Sequence, residues 1–137
     1  MGIVVNDLNK AKDFWINILG FNLHIEAIEE SPYVDELLAI KDPSLTTVKI
    51  IDSKGFIIEL LKFNNYQVEN SWSGDLKTTG LTHMALTVDH LDQLVESLKK
   101  QNYQTLSEIK VSPNKKVKVV FVRGPEAIML ELVQELK

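Results

Sequence analysis

Residues 81–92 read LTHMALTVDHLD: a histidine, a short apolar run of β type, and then an acidic turn leading into Leu91. The N-terminus carries a near-copy. Shifted by 83 positions, Ile3-Val4-Val5 falls on Leu86-Thr87-Val88 and Leu8 falls on Leu91. A second pair of segments repeats at a shift of 72, where Phe56-Ile57-Ile58-Glu59-Leu60-Leu61 falls on Ile128-Met129-Leu130-Glu131-Leu132-Val133. Two similar segments in the same order in each half point to a duplicated module.

The elements between them fit that reading. After Ile3-Val4-Val5, either Asp7 or Asn9 can cap a helix in which Leu8, Ala11, Phe14, Trp15, Ile18 and Leu19 recur at helical spacing, with Gly20 placed to stop it. Residues 21–27 read as a strand, and residues 28–43 as an irregular segment containing Ser31-Pro32-Tyr33. Residues 46–51 and 56–63 are β-runs joined by the turn Asp52-Ser53-Lys54-Gly55. Residues 64–80 are polar, without sustained period, and form a connector. Residues 82–88 then read as a strand, and Asp89 is placed to cap a helix carrying Leu91, Leu94, Val95 and Leu98. Strands follow at 103–109, 117–122 and 128–133, the last two joined by Arg123-Gly124-Pro125-Glu126. The expectation is one α+β domain spanning 1–137, made of a βαβββ module over 1–63, a connector over 64–80 and a second βαβββ module over 81–137.

Composition excludes several functions. The 137 residues are 45% hydrophobic and 25% charged, enough for one sizeable core. No cysteine is present, which removes disulfides, zinc knuckles and thiol chemistry. Net charge is −4 with a single arginine, Arg123, the wrong sign for nucleic-acid binding. No apolar run approaches the roughly 18 residues that span a bilayer, and residues 1–15 lack the basic head and apolar centre of a signal peptide. A cytoplasmic protein without nucleic-acid or membrane partners is expected. The cluster Lys115, Lys116 and Lys118 reads as a solvated strand or turn.

The chemistry-bearing residues are the two glutamates. Side chains alternate along a strand, so Glu59 shares a face with Ile57 and Leu61, and Glu131 with Met129 and Val133. The opposite faces, Phe56-Ile58-Leu60 and Ile128-Leu130-Leu132, are apolar and suit packing against helices. A carboxylate buried alone costs several kcal/mol or is protonated, so a compensating cation is expected beside each. His83 shares its face with Ala85 and Thr87, small residues that leave room beside the ring. His24 and His90 read as structural or surface residues.

The motifs GIVVNDLNKAKDFWINILGF (2–21), GFIIELLKF (55–63), THMALTVDHLDQL (82–94) and VRGPEAIMLELVQ (122–134) together resemble the vicinal oxygen chelate superfamily. This group includes glyoxalase I, methylmalonyl-CoA epimerase, extradiol dioxygenases and the fosfomycin and bleomycin resistance proteins. The resemblance implies paired βαβββ modules whose mixed sheets curl around a cleft holding a divalent metal, usually in a homodimer. Residue by residue, it matches Glu59, His83 and Glu131 to metal ligands, with Glu131 and then Glu59 as the catalytic base. The family's first histidine would fall one place before Met1 and has no counterpart. A later start than the native one, three ligands plus water, or a metal-free relative each accounts for that gap.

A mixed N/O site of this kind suits Ni, Co, Zn, Mn or Fe. The implied activity is that of a metal-dependent isomerase or lyase, acting through an enediolate on a small oxo-acid, thioester or hemithioacetal. A metal-free binding or antibiotic-resistance protein is the alternative. The extradiol dioxygenase pattern of two histidines and one carboxylate fits these residues less well. Tyr33, Arg123 and Trp72 are the candidate substrate contacts, with the segment around Tyr33 placed where a lid would lie. Trp15, Phe63 and Met129 read as packing residues before cleft residues.

Overall fold

The two glutamate-bearing strands stand at the same place in two separate four-stranded sheets. The computed structural model describes residues 1–67 and 75–137, and the chain divides into two units, Met1–Asn70 and Ser71–Lys137. In the first unit the strands are β1 (Gly2–Val4), β2 (Asn22–Glu29), β3 (Leu45–Ile51) and β4 (Ile57–Phe63), in spatial order β1-β4-β3-β2. In the second they are β5 (Met84–Thr87), β6 (Lys110–Val111), β7 (Val117–Arg123) and β8 (Met129–Glu135), in order β5-β8-β7-β6. In each sheet the first strand runs parallel to the last and the other pairs are antiparallel. Both sheets are therefore mixed and share one topology.

The registers carry the repeat. Gly2 pairs with Glu59 and Ala85 with Glu131, so the offsets of 83 and 72 read from the sequence recur as hydrogen-bonded geometry. On the other side of the glutamates, Lys49 pairs with Glu59 and Phe121 with Glu131.

In each sheet one face is sealed. Ile58 and Leu60 of β4, and Leu130 and Leu132 of β8, have no exposed surface. Helix α1 (Leu8–Lys12) packs on β4. Asp7 caps it, its carboxylate accepting from the Lys10 N–H at 2.9 Å. Residues Asp13–Ile18 continue it as a π-helical turn, in which the Leu19 N–H donates to the Phe14 carbonyl. The wider turn carries Phe14 and Trp15, adjacent in sequence, into the core together, at 0% and 1% exposure. This differs from the even helical spacing expected through Leu19. Ile18 and Leu19 are left half-buried, and Gly20 ends the helix at φ +80°.

Helix α3 (Leu91–Lys100) buries Leu91, Val95 and Leu98, one stripe at 3.6-residue spacing, and packs on β8. The expected cap, Asp89, is not used. The residue at the cap is His90, whose side chain makes no capping bond, and the Leu91 N–H donates instead to Gln134 Oε1 of β8 at 2.9 Å. A strand residue thus ties the helix start to the sheet. Gln134→Ala is expected to cost about 1 kcal/mol, the usual loss for a helix cap. Gln134→Glu, which keeps an acceptor at the helix's positive end, should cost less. Urea unfolding midpoints of the two variants check this.

Two other expectations are corrected. The irregular stretch 28–43 contains the end of β2 and a helix α2 (Tyr33–Leu38), started after Pro32 with Asp35 and Glu36 in its first turn. The strand expected over 103–109 is reduced to one bridge, Thr105 to Val122, followed by the two-residue β6.

The turns before β4 and β8 also correspond. Gly55 takes φ +88° in the first; at the matching place in the second stands Ala127, at φ +64°, behind Glu126 at φ +54°. A left-handed L-residue costs about 1–2 kcal/mol, partly offset by the roughly 0.4–1 kcal/mol entropic penalty of glycine. Ala127→Gly is therefore expected to stabilise the fold by about 0.5–1 kcal/mol, read as a raised urea midpoint.

Candidate functional site

In the second unit, the open face of the β5–β8–β7 sheet holds Ala85, Glu131 and Phe121 in one row. His83 precedes β5 by one residue and lies two before Ala85, so it rises on the same face as Glu131. Ala85 is too small to fill the space beside it. His83 Nε2 lies 3.3 Å from Glu131 Oε2, with the two side chains 33% and 28% exposed. The Phe121 ring meets the imidazole edge-on, with centroids 5.1 Å apart. On the far side, Thr82 Oγ1 lies 2.8 Å from His83 Nδ1.

That arrangement serves two proton states. With the hydroxyl donating to Nδ1, Nε2 carries the proton and donates to Glu131. With Nδ1 protonated and donating to Thr82 Oγ1, the Nε2 lone pair is free for an electrophile beside the carboxylate. A second hydrogen bond that fixes ring and tautomer is the usual support of a metal-ligating imidazole. Two donors each about 2.1 Å from one ion, at a right angle, lie about 3 Å apart. The His83–Glu131 separation fits such an ion.

In the first unit the matching row is Gly2, Glu59 and Lys49. Lys49 Nζ stands 3.9 Å from Glu59 Oε2, and the side chains are 41% and 33% exposed. The cation that the sequence called for beside Glu59 is thus supplied by a lysine, and partial exposure lowers the need for one. Sequence reasoning missed Lys49. Its place opposite Glu59 follows from the observed hairpin register, in which Ile51 pairs with Ile57.

Of the three residues expected as ligands, the second unit brings His83 and Glu131 side by side, and Glu59 belongs to the first unit. Among the described residues, no group of three or more His, Cys, Asp or Glu side chains is gathered in a way that could hold a metal. His24 is exposed on β2 and His90 stands at the start of α3, in keeping with structural or surface roles. Arg123 ends β7 opposite Met129, exposed, on the same face as Glu131. Tyr33 opens α2 at 61% exposure. Trp72 lies outside the described residues. Trp15 and Met129 are buried packing residues, and Phe63 meets Tyr66 ring to ring at 6.5 Å.

The lysine cluster reads as expected. Lys118 Nζ lies 2.6 Å from Asp92 Oδ2, and that hydrogen bond holds the Asp92 carboxyl below its ordinary value. A shallow depression lined by Asn6, Asp7, Asn9, Thr46, Lys62 and Asn64 opens on the helix side of the first sheet, away from Glu59. No helix among the described residues is long and apolar enough to cross a membrane.

Comparison with known proteins converges on one group. A family model described as Glyoxalase/Bleomycin resistance protein/Dioxygenase superfamily matches residues 1–121. The Bacillus subtilis (strain 168) protein YwkD, itself uncharacterized, is 28% identical over 136 residues, covering 98% of this chain and 94% of its own length. Among solved structures, a glyoxalase family protein from Bacillus cereus superposes with a TM-score of 0.91 at 23% identity, over 100% of this chain and 92% of that one. The fosfomycin resistance protein FosX from Listeria monocytogenes, solved with Mn(II) and sulfate, superposes at 0.64 and 14% identity, over 98% and 88% of the two chains. At these identities the structural likeness concerns the fold.

Proposed function

The chain belongs to the glyoxalase/bleomycin resistance protein/dioxygenase superfamily, and from that premise we propose that it is a metal-dependent isomerase or lyase. Its substrate is a small oxo-acid, thioester or hemithioacetal, and the reaction passes through an enediolate. His83 and Glu131 are the proposed ligands of the divalent ion, one of Ni, Co, Zn, Mn or Fe, with Glu59 as the third. We place the protein in the cytoplasm as a homodimer, with Tyr33, Arg123 and Trp72 as substrate contacts. The observation that carries this reading is the imidazole and carboxylate 3.3 Å apart, with the imidazole's other nitrogen held by Thr82.

A bound ion would supply Lewis acidity toward two neighbouring substrate oxygens, stabilising the negative charge that follows proton loss. The residues supply the rest. Glu131 takes the proton from the carbon next to the carbonyl, its carboxylate becoming a carboxylic acid, and returns the proton to the same or the adjacent carbon. Thr82 keeps the His83 ring turned with Nε2 toward Glu131, and Phe121 covers one edge of the pair.

A second reading is a metal-free binding or resistance protein, and the Lys49–Glu59 contact favours it, because it answers the glutamate's charge without a metal. Solvent exchange in D2O separates the two. With Ni2+ or Mn2+ present, the enzyme incorporates deuterium next to the carbonyl of an oxo-acid, thioester or hemithioacetal substrate, and Glu131→Gln loses that exchange. Absence of exchange across all three classes, together with thermal stabilisation of metal-free protein by aromatic ligands, overturns the enzyme reading in favour of the binding protein.

A further inference from the structure

The open face of the second sheet carries a charge that the His83–Glu131 pair does not use. Arg123, the chain's single arginine, ends β7 opposite Met129 and two residues along from Phe121. It therefore stands on the face of Glu131, in the adjoining row. Successive residues on one face of a strand lie about 7 Å apart, within the span of an arginine side chain. The strand end that carries it is fixed. The Arg123 N–H donates to the Gln104 carbonyl at 3.0 Å, and the Phe121 carbonyl accepts from the Leu106 N–H at 2.9 Å. Arg123 is exposed, and among the described residues no carboxylate lies within ion-pair distance of its guanidinium. A fixed backbone thus presents an uncommitted cation.

Charge gives this face a direction. A substrate carboxylate placed beside Glu131 meets a like charge, which disfavours it. Beside Arg123 it meets two parallel N–H donors in the geometry that a carboxylate accepts. Phe121 lies between the two positions, opposite Glu131 and half-buried, and offers apolar surface to a short carbon skeleton. An anion held at Arg123 therefore extends its uncharged end toward His83 and Glu131.

We propose that Arg123 is a specificity residue that holds the carboxylate of a small oxo-acid, with the carbonyl end of that molecule beside His83 and Glu131. The inference rests on the reading of this face as the substrate site. It narrows the three substrate classes to the one whose reacting carbon lies close to a free carboxylate. A thioester or hemithioacetal carries no charge at that place and gains nothing from the guanidinium.

Nitrogen-15 NMR of the full chain with Zn2+ present tests this, because a single arginine gives a single Nε–Hε cross-peak. Pyruvate is the probe, and methyl pyruvate, the same skeleton without the charge, is its comparison. Pyruvate is expected to shift the Nε–Hε peak and the backbone amides of His83 and Glu131 along one binding curve. Methyl pyruvate should bind at least about tenfold more weakly. Arg123→Met should lose at least about tenfold in pyruvate affinity and leave methyl pyruvate binding unchanged. Arg123→Lys, which keeps the charge without the paired donors, should lose less. Amides at His83 and Glu131 that shift while the Nε–Hε peak stays still overturn the role of Arg123 and leave the substrate face standing. Equal affinity for the two probes, or wild-type pyruvate affinity in Arg123→Met, does the same. If neither probe moves those amides, the oxo-acid reading of this face falls, and the inference with it.

Discussion

Replacing His83 with alanine is expected to weaken divalent-ion binding by at least about 100-fold. Changes in the groups that merely orient a ligand already cost 10–100-fold, and His83 is itself the proposed nitrogen donor. Glu131→Gln removes the charge while keeping the shape and should lose a comparable factor. Neither change should unfold the protein. Both side chains are about a third exposed and contribute little to the sealed face of the sheet, so stability should move by no more than about 0.5 kcal/mol. Titration with Mn2+ or Ni2+, run beside urea unfolding, measures both quantities on the same samples. A large loss of ion affinity with an unmoved unfolding midpoint is the expected signature. Thr82→Ala should fall between wild type and His83→Ala, because it frees the ring to turn without removing the donor.

The largest expected stability loss comes from the first unit's core. Trp15 is 1% exposed and meets Phe14 and Phe21 edge-on, with ring centroids 5.6 and 5.3 Å away. Trp15→Ala removes the largest buried side chain among the described residues and leaves a cavity bounded by a π-helical turn, which cannot collapse without losing its own hydrogen bonds. Such truncations cost about 3–5 kcal/mol, a large share of the roughly 5–15 kcal/mol that stabilises a typical domain. Trp15→Phe, keeping one ring, should cost less than half as much. The urea midpoint, with the slope unchanged, is the appropriate measure. A loss below about 1 kcal/mol for Trp15→Ala would mean that the ring is not locked in the core.

How far the fold could be read from residues depended on the range of the interaction. The duplicated segments around His83 and around the two glutamates were legible because side-chain alternation is local and appears twice. Matching positions do land in matching registers, Gly2 on Glu59 and Ala85 on Glu131. The cap of α3 was not legible, because Gln134 lies 43 residues from the Leu91 N–H that it accepts. Helix α2 was hidden by Pro32, which reads as a breaker unless the acidic turn after it is weighed. Lys49 was lost to a single residue of register. With the turn taken as residues 52–55, Lys49 faces Ile58. In the structure Phe56 joins the turn, its N–H bonded to Asp52 Oδ1 and its carbonyl accepting from the Asp52 N–H, so the strands close at Ile51 and Ile57. One residue of slip exchanges the two faces of a strand, and with them the partner of Glu59.

The most direct measurement is anomalous X-ray diffraction from crystals of the wild-type chain equilibrated with Mn2+. A single strong peak about 2.1–2.3 Å from both His83 Nε2 and Glu131 Oε2 is the predicted result. A Mn2+ peak held by other side chains, or a saturated crystal with none at this pair, would contradict it.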